Sequence, residues 1–242
     1  MTLLRPAATA ALILAAAAAI AYPLHRSRTF QFFGEIVPRV DTRDSVVALT
    51  FDDGPTASQA DEVLDYLRAN GVKATFYVTG SGVSEQPAVA RRLVADGHEL
   101  GNHTYSHRAM ILRTPGFIRA EVERTDSAIR SVGFRGPITF RPPYSKKLFG
   151  LPLYLARTGR VTVTCDVEPE SYPEVDGEAK RIAEHVLERV RPGSIILLHP
   201  WYRSREASRR AVPAIVEGLR ARGYQLVTVS ALLSHRDTEA QR

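Results

Sequence analysis

From Ser45 onward the chain alternates short β-branched or aromatic runs with helical stretches of roughly a dozen residues. The predicted strands are Val46–Phe51, Ala74–Thr79, Glu99–Asn102, Ile138–Arg141, Val161–Cys165, Ser194–His199 and Gln225–Val229. The predicted helices are Ser58–Ala69, Pro87–Ala95, Phe117–Val132, Leu148–Arg157, Gly177–Val190 and Arg205–Arg222. Strands that alternate with helices form right-handed βαβ units. The rhythm therefore predicts an α/β fold with a mainly parallel sheet, which is either closed into a barrel or open and doubly wound.

The polar residues that stand out follow the predicted strands, at their C-terminal ends. They are Asp52, Asp53, His103, His107, Arg141, Tyr144, Asp166, Glu168 and His199. Parallel α/β folds place their functional sites at this end of the sheet. The residues come from five different strands, which a closed barrel gathers around one rim and an open sheet spreads along a line. This distribution favours the barrel.

Two adjacent carboxylates, Asp52 and Asp53, end the first apolar strand. Like charges this close repel each other unless a cation compensates them. A solvated turn is the alternative, because Asp-Gly and Gly-Pro are common turn pairs. Neighbouring side chains point in different directions, so one carboxylate can bind a metal while the other faces a substrate.

His103 and His107 are four residues apart, a spacing that lets two imidazoles bind one metal ion on a helix or tight turn. Two surface histidines are the alternative explanation. Together with Asp53 they make a His/His/Asp set that leaves a coordination position open for water. An open position is typical of a catalytic metal site.

Two further segments carry candidate chemistry. Both prolines of Arg141-Pro-Pro-Tyr144 fix their φ angles, so the loop is rigid. His199 closes an apolar run and is a candidate general acid, or else a satisfied core histidine. The stretch Trp201–Arg205 follows it, either bordering a cleft or forming a solvated loop.

The composition excludes several classes of protein. Cys165 is the single cysteine, so cysteine-rich zinc sites, iron–sulfur clusters and disulfide scaffolds are excluded. The net charge of +6 suits an anionic polymer or membrane surface. Basic residues are not clustered into a dense block with aromatics, so we expect no nucleic-acid partner.

The first 25 residues differ from the rest. Arg5 precedes an uncharged apolar run over residues 6–24, long enough for a membrane-spanning helix. The run also contains Ala19-Ile20-Ala21, which fits a signal-peptide cleavage site. We therefore predict that residues 1–25 are a signal peptide or a membrane anchor, residues 26–44 a linker and residues 45–235 one domain. Both alternatives place that domain outside the cytoplasm.

Four motifs together resemble the polysaccharide deacetylase family, also called the NodB-homology domain or carbohydrate esterase family 4. The motifs are Thr50-Phe-Asp-Asp-Gly-Pro55, His103-Thr-Tyr-Ser-His107, Arg141-Pro-Pro-Tyr144 and Leu197-Leu-His199-Pro200. The resemblance covers about Ser45 to Leu233. It implies a single-domain, distorted (β/α)₇ barrel, here preceded by the N-terminal hydrophobic helix.

The resemblance also implies a role for each matching residue. Asp52 resembles the general base, Arg141 its partner, and His199 the general acid. Tyr144 would offer its backbone N–H to the oxyanion. The remaining assignments are the metal ligands Asp53, His103 and His107 and the substrate-binding residues Leu197, Pro142 and Trp201.

The fourth family motif is altered in this chain. The family commonly reads Trp-Asp-Val-Asp followed by Asp-Trp, whereas the chain reads Cys165-Asp-Val-Glu168-Pro-Glu-Ser-Tyr172. The missing Asp normally orients the catalytic histidine. We expect Asp166, Glu168 or Glu170 to take its role, or the role to be partly lost.

The resemblance implies a metal-dependent hydrolase that removes N-acetyl groups from an N-acetylglucosamine-containing envelope polysaccharide, peptidoglycan- or chitin-like. We expect one divalent ion, Zn²⁺ or alternatively Co²⁺ or another divalent ion, and an exported monomer that meets a membrane only through its N-terminal segment, if that segment is not cleaved. The alternatives are a non-catalytic or weakly active glycan-binding barrel and a glycan O-acetyl esterase.

Overall fold

The structure is a computed structural model, and it describes residues 22–56 and 61–239. The strands are β1 (Ile36–Val37), β2 (Val46–Asp52), β3 (Thr75–Val78), β4 (Glu99–Asn102), β5 (Thr162–Val163), β6 (Ile195–Leu198) and β7 (Gln225–Val227). The α-helices are α1 (Asp61–Ala69), α2 (Gly80–Glu85), α3 (Pro87–Ala95), α4 (Pro115–Ser131), α5 (Gly150–Arg157), α6 (Ala179–Arg189), α7 (Glu206–Ala221) and α8 (Val229–Glu239). Single 3₁₀ turns lie at Pro143–Ser145, Pro169–Ser171 and Arg203–Arg205.

The strands close into a distorted parallel barrel. β2 pairs with β6 and β3, and β3 pairs with β4. The ring continues through single bridges, from Asn102 to Phe140 and from Phe140 to Thr162 in β5. The chain after β5 then bridges from Val167 to Ile196 in β6. β1 pairs with β5, and β7 pairs with the first half of β2. The predicted barrel is confirmed.

The alternation of side chains along β2 positions the site. Val47, Leu49 and Phe51 pack in the apolar cluster that contains the buried faces of the surrounding helices. Val46 and Ala48 belong to a second cluster, shared with residues of β5 and β6. Side chains in a strand alternate between its two faces. Asp52 is therefore on the same face as Val46 and Ala48, at the C-terminal mouth of the barrel.

Most predicted elements differ from the structure by one or two residues at their ends, and two predicted segments differ by more. The predicted strand Ile138–Arg141 is reduced to the single bridging residue Phe140. The predicted linker 26–44 contains β1 and the buried Val40, whose N–H donates to the Gly193 carbonyl at 3.0 Å. A two-residue strand is too short to show a hydrophobic period, which explains the wrong linker prediction.

The predicted N-terminal hydrophobic helix and its cleavage site lie largely outside the described residues. Within the part of the chain that the structure describes, none of the helices has both the length and the apolar character needed to cross a membrane.

Candidate active site

Asp52 and Arg141 form a buried ion pair at the mouth of the barrel. The Nη1 atom of Arg141 lies 2.6 Å from Oδ1 of Asp52, and both side chains are almost fully buried. Arg141 also donates to Thr50 Oγ1 at 2.8 Å and to the Thr164 carbonyl at 2.9 Å. Burial acts to lower the pKa of Arg141, but Asp52 and other neighbours raise it above its usual value. The guanidinium stays charged and fixes the direction of the Asp52 carboxylate.

Asp53 lies between the two predicted histidines. Its Oδ1 is 3.2 Å from Nε2 of His103 and 2.9 Å from Nε2 of His107. One possible ligand atom from each of the three residues lies within 4.8 Å of the others. Burial acts to raise the pKa of Asp53, but contacts with the two histidines outweigh it and hold the pKa far below its usual range. The structure thus brings together the predicted metal-ligand set.

A second atom of each imidazole is held by a neighbour. Nδ1 of His103 is 2.7 Å from the Arg141 carbonyl oxygen, and Nδ1 of His107 is 3.2 Å from the Tyr144 hydroxyl. A carbonyl can only accept, so Nδ1 of His103 carries a proton, and in the neutral imidazole Nε2 is then a bare acceptor that faces Asp53. Such outer contacts orient metal-binding imidazoles.

The donor set fits a divalent cation. The buried Oδ1 of Asp53 faces Nε2 of both histidines, and a neutral His103 with its proton on Nδ1 places a bare acceptor 3.2 Å from it. Two acceptors at this distance repel unless a cation or a proton lies between them. Two imidazoles and one carboxylate are ligands that Zn²⁺ and similar ions take in catalytic sites.

Left-handed backbone conformations coincide with the site. The φ angles are 77° at Asp53, 54° at His107 and 57° at Tyr144. This conformation is uncommon for residues with a Cβ and costs of order 1–3 kcal/mol each. The surrounding barrel holds these residues in this conformation, and all three line the cleft.

His199 stands on the other side of the cleft, held by Glu170. Nδ1 of His199 contacts Oε2 of Glu170, and its backbone N–H donates to Oε1 at 3.2 Å. Ser208 on α7 donates its hydroxyl to the same Oε1 atom. Burial acts to lower the pKa of His199, but Glu170 and then Asp52 and Asp53 raise it above its usual value. This environment favours the protonated imidazole.

Two of the three acids proposed to orient His199, Asp166 and Glu168, lie elsewhere. Asp166 accepts from the N–H of Ile195 and the hydroxyl of Ser194, both at 2.9 Å. Glu168 pairs with Arg28. The prediction of Asp166 or Glu168 is therefore wrong, and Glu170 contacts His199 because the 3₁₀ turn Pro169–Ser171 redirects the chain.

Trp201 was predicted to bind substrate, and this is also wrong. Its side chain is 2% exposed and meets the Phe76 ring edge-on, with centroids 5.9 Å apart. A Cβ at Gly54 would lie 1.9 Å from the Trp201 ring, so only glycine allows this packing. Tyr202 faces the cleft instead, and its hydroxyl donates to Oδ2 of Asp53 at 3.3 Å. The sequence carries no signal that separates the two neighbouring aromatics.

The site residues line one cleft of about 630 Å³. Its walls include Leu197 and Pro142 as predicted, and they also include residues that the motifs do not mark. The lining residues are Arg26, Arg28, Asp52, Asp53, His103, His107, Pro142, Tyr144, Ser145, Glu168, Ser171, Leu197, His199, Tyr202, Ser204 and Arg205.

Comparison with known proteins agrees with this geometry. The family model for polysaccharide deacetylase matches residues 39–163. A chitooligosaccharide deacetylase of a Bradyrhizobium species is 36% identical over 194 residues, covering 74% of this chain and 87% of that protein. The peptidoglycan-N-acetylmuramic acid deacetylase PdaC of Bacillus subtilis is 34% identical, covering 80% of this chain and 40% of that protein. The crystal structure of a peptidoglycan N-acetylglucosamine deacetylase superposes with a TM-score of 0.75 at 29% identity, covering 80% of this chain and 90% of that one.

The chain belongs to the polysaccharide deacetylase family. Members of this family are metal-dependent hydrolases, and the Asp53, His103 and His107 cluster is the corresponding candidate metal site. The resemblance inferred from the four motifs is confirmed.

Proposed function

We propose that the protein removes N-acetyl groups from an N-acetylglucosamine-containing polysaccharide of the cell envelope and releases acetate. One observation carries the proposal: a carboxylate with a fixed charge partner and a histidine with a raised pKa face the same ligand cluster. Nε2 of His199 is 4.0 Å from Oδ2 of Asp53, and Nε2 of His103 is 3.8 Å from Oδ2 of Asp52. Asp52 as the base and His199 as the acid can therefore both contact one reacting carbonyl group that lies between them.

The proposed metal ligands are Asp53, His103 and His107. A divalent ion there would act as a Lewis acid toward the acetyl oxygen and the attacking water. The ion proposed is Zn²⁺, because two imidazoles, one carboxylate and an open position are its usual catalytic set.

The chain's own residues carry the protons. Asp52 accepts a proton from the attacking water as the new C–O bond forms, and Arg141 keeps the carboxylate aimed at that water. His199 then donates its Nε2 proton to the sugar nitrogen as the C–N bond breaks. An amine is a poor anionic leaving group, so this proton is needed for cleavage. Acetate and the free amine are the products.

Two wall segments complete the proposed site. The backbone N–H of Tyr144 would donate to the oxyanion, and removal of one such donor typically costs about 10²–10³-fold in rate. Leu197 and Pro142 line the cleft and would contact the acetyl methyl group. The strained φ of Tyr144 supports its role, since strain of this kind clusters at active sites.

The proposed location is the periplasm or cell envelope. The apolar residues 6–24 support export, by a cleaved signal or as a retained anchor. The barrel would act as a monomer on its glycan.

Acetate release tests the proposal. The purified protein is assayed on chitooligosaccharides, peptidoglycan and an O-acetylated glycan, with metal content measured on the same sample. The expected result is acetate release from an N-acetylated glycan that a chelator abolishes and Zn²⁺ restores. Release only from the O-acetyl ester, or glycan binding with no release by metal-loaded protein, would contradict the proposal.

A further inference from the structure

We infer that Arg26 is a specificity-determining residue, which binds a carboxylate on the glycan next to the N-acetylated sugar that is cleaved. Arg26 belongs to the segment of residues 25–28, here called the N-terminal arm. The inference rests on the proposed function for its choice of ligand class. It adds that the preferred glycan is anionic.

The N-terminal arm is fixed to the barrel on both of its sides. The backbone N–H of Lys147 donates to the His25 carbonyl at 2.8 Å, and its buried ammonium group donates to the Ser27 carbonyl. Thr164 donates its hydroxyl to the Arg28 carbonyl at 2.7 Å. These contacts hold the arm from the loop after Arg141 and from the strand end after β5, so the arm forms a built wall of the cleft.

Charges in the cleft are paired, with one exception. Arg28 pairs with Glu168, Arg205 pairs with Asp176 at 2.7 Å, and Asp52 pairs with Arg141. Arg26 lines the cleft and is exposed, and among the described residues it contacts no carboxylate. Asp53 is occupied by the two histidines and their proposed ion. Within the part of the chain that the structure describes, Arg26 is therefore the cation in the cleft that remains available to a ligand.

The chemistry of the guanidinium selects the ligand. Its fork of N–H donors matches a carboxylate with two parallel hydrogen bonds. A neutral chitin-like chain offers only hydroxyls and amides at this position. A glycan that carries a lactyl ether carboxylate or a uronic acid beside its N-acetylglucosamine offers the matching group.

Calorimetric binding of matched glycans tests this inference. One ligand is a tetrasaccharide that alternates N-acetylglucosamine with N-acetylmuramic acid, and its control is the same tetrasaccharide with each carboxylate converted to the amide. A second pair alternates N-acetylglucosamine with glucuronic acid or its amide. We expect the protein to bind at least one acid roughly tenfold more tightly than its amide, because a hydrogen bond to a charged group contributes on this order. The pair that shows the preference identifies the source of the carboxylate.

Variants locate the preference. Arg26→Gln should abolish it, Arg26→Lys should retain part of it, and Arg203→Gln should leave it unchanged. Arg203 is the matched control because it is an exposed arginine near the cleft that does not line it. A wild-type protein without preference for either acid, or an Arg26→Gln variant that keeps the preference, would overturn the inference.

Acetate release is measured separately on the same ligands. A protein that binds the acid through Arg26 and releases no acetate from any N-acetylated glycan would contradict the proposed function and support the arginine assignment. The opposite pattern, acetate release with no carboxylate preference, would contradict the arginine assignment alone.

Discussion

The two sides of the cleft are built differently. We name the two sides after the proposed roles of Asp52 and His199. The base side consists of Asp52, Asp53, His103 and His107, of which the two aspartates follow each other at the end of β2 and the two histidines belong to one short motif after β4. The acid side joins His199 after β6 to Glu170 in a 3₁₀ turn and Ser208 on α7, residues up to 38 positions apart.

This difference affects how each side can vary. On the base side, the spacing of ligands within one loop sets the geometry, so a substitution changes the ligand set directly. On the acid side, the orienting carboxylate contacts His199 from another segment of the chain. A Glu side chain is longer than Asp, so it can make this contact from a turn that lies farther from the histidine. The altered fourth motif lies on the acid side, where Glu170 can orient His199 although the usual Asp is missing.

The largest effect is expected from Asp52→Asn on the base side. Acetate release should fall by roughly 10²–10⁴-fold, because no other described carboxylate in the cleft is free to act as base. The free energy of unfolding should also fall by about 3 kcal/mol, since Arg141 keeps a buried charge without its partner. Metal content should be unchanged. Steady-state kinetics, denaturant unfolding and metal analysis measure the three quantities.

Asp166→Asn is the matched control for this variant. Asp166 is a partly buried aspartate near β6 that contacts Ser194 and Ile195 and no site residue. It should lose some stability and keep its turnover. Near wild-type turnover of Asp52→Asn would show that the base assignment is wrong.

On the acid side, Glu170→Gln should reduce kcat by about 10–10²-fold and shift its pH profile. Glu170 raises the pKa of His199, and the histidine must be protonated to donate. Activity therefore falls as pH rises through that pKa. Removal of the negative charge lowers the pKa, so the alkaline limb of the profile should move to lower pH.

Glu168→Gln provides the control, because Glu168 lies two residues away and pairs with Arg28. Its alkaline limb should stay in place. If both variants shift the alkaline limb equally, the pKa of His199 is set by the general electrostatic field of the cleft. Its direct contact with Glu170 would then not be the cause.

A smaller effect is expected for the hydroxyls that contact the proposed metal ligands. Tyr144→Phe removes the contact to His107, and Tyr202→Phe removes the donor to Asp53. Outer contacts of this kind contribute about 10–100-fold in metal affinity, and both tyrosines are exposed, so we expect roughly tenfold weaker binding or less. Competition with a chelator measures the affinity. Tyr154→Phe, whose hydroxyl contacts Glu123 away from the site, should bind the metal normally.

The sequence predicted the base side well because its information is local. The alternation in β2 and the spacing of His103 and His107 place the side chains without knowledge of distant segments. The strand rhythm likewise predicted a parallel α/β fold, and the polar residues at five strand ends favoured the barrel, in which Phe140 alone bridges two strands.

The acid side and the N-terminal arm depend on contacts that no local pattern records. Glu168 forms an ion pair with Arg28 and does not contact His199, and Arg28 belongs to a segment predicted to be a linker. Trp201 is buried because Gly54, far away in sequence, leaves room for its ring. In both cases the deciding partner lies more than 100 residues away.

The smallest predicted effect tests whether the pKa of His199 depends on its direct contact with Glu170 or on the general electrostatic field of the cleft. Ser208 donates to Oε1 of Glu170 and helps to keep the pKa of that carboxyl below its usual value. Ser208→Ala should lower kcat by about two- to fivefold, because its hydrogen bond acts on His199 only through Glu170 and should contribute about 0.5–1 kcal/mol, the lower part of the usual range. The alkaline limb should move in the same direction as in Glu170→Gln, by a smaller amount, since a less firmly held carboxylate contacts His199 less well.

Ser171→Ala makes the same change beside Glu168, where Oγ of Ser171 lies 2.6 Å from Oε2, and should leave the limb in place. Equal shifts in the two serine variants would mean that the acid side is tuned by the whole turn Pro169–Ser171, whereas a shift in Ser208→Ala alone assigns the tuning to the chain of contacts from Ser208 through Glu170 to His199.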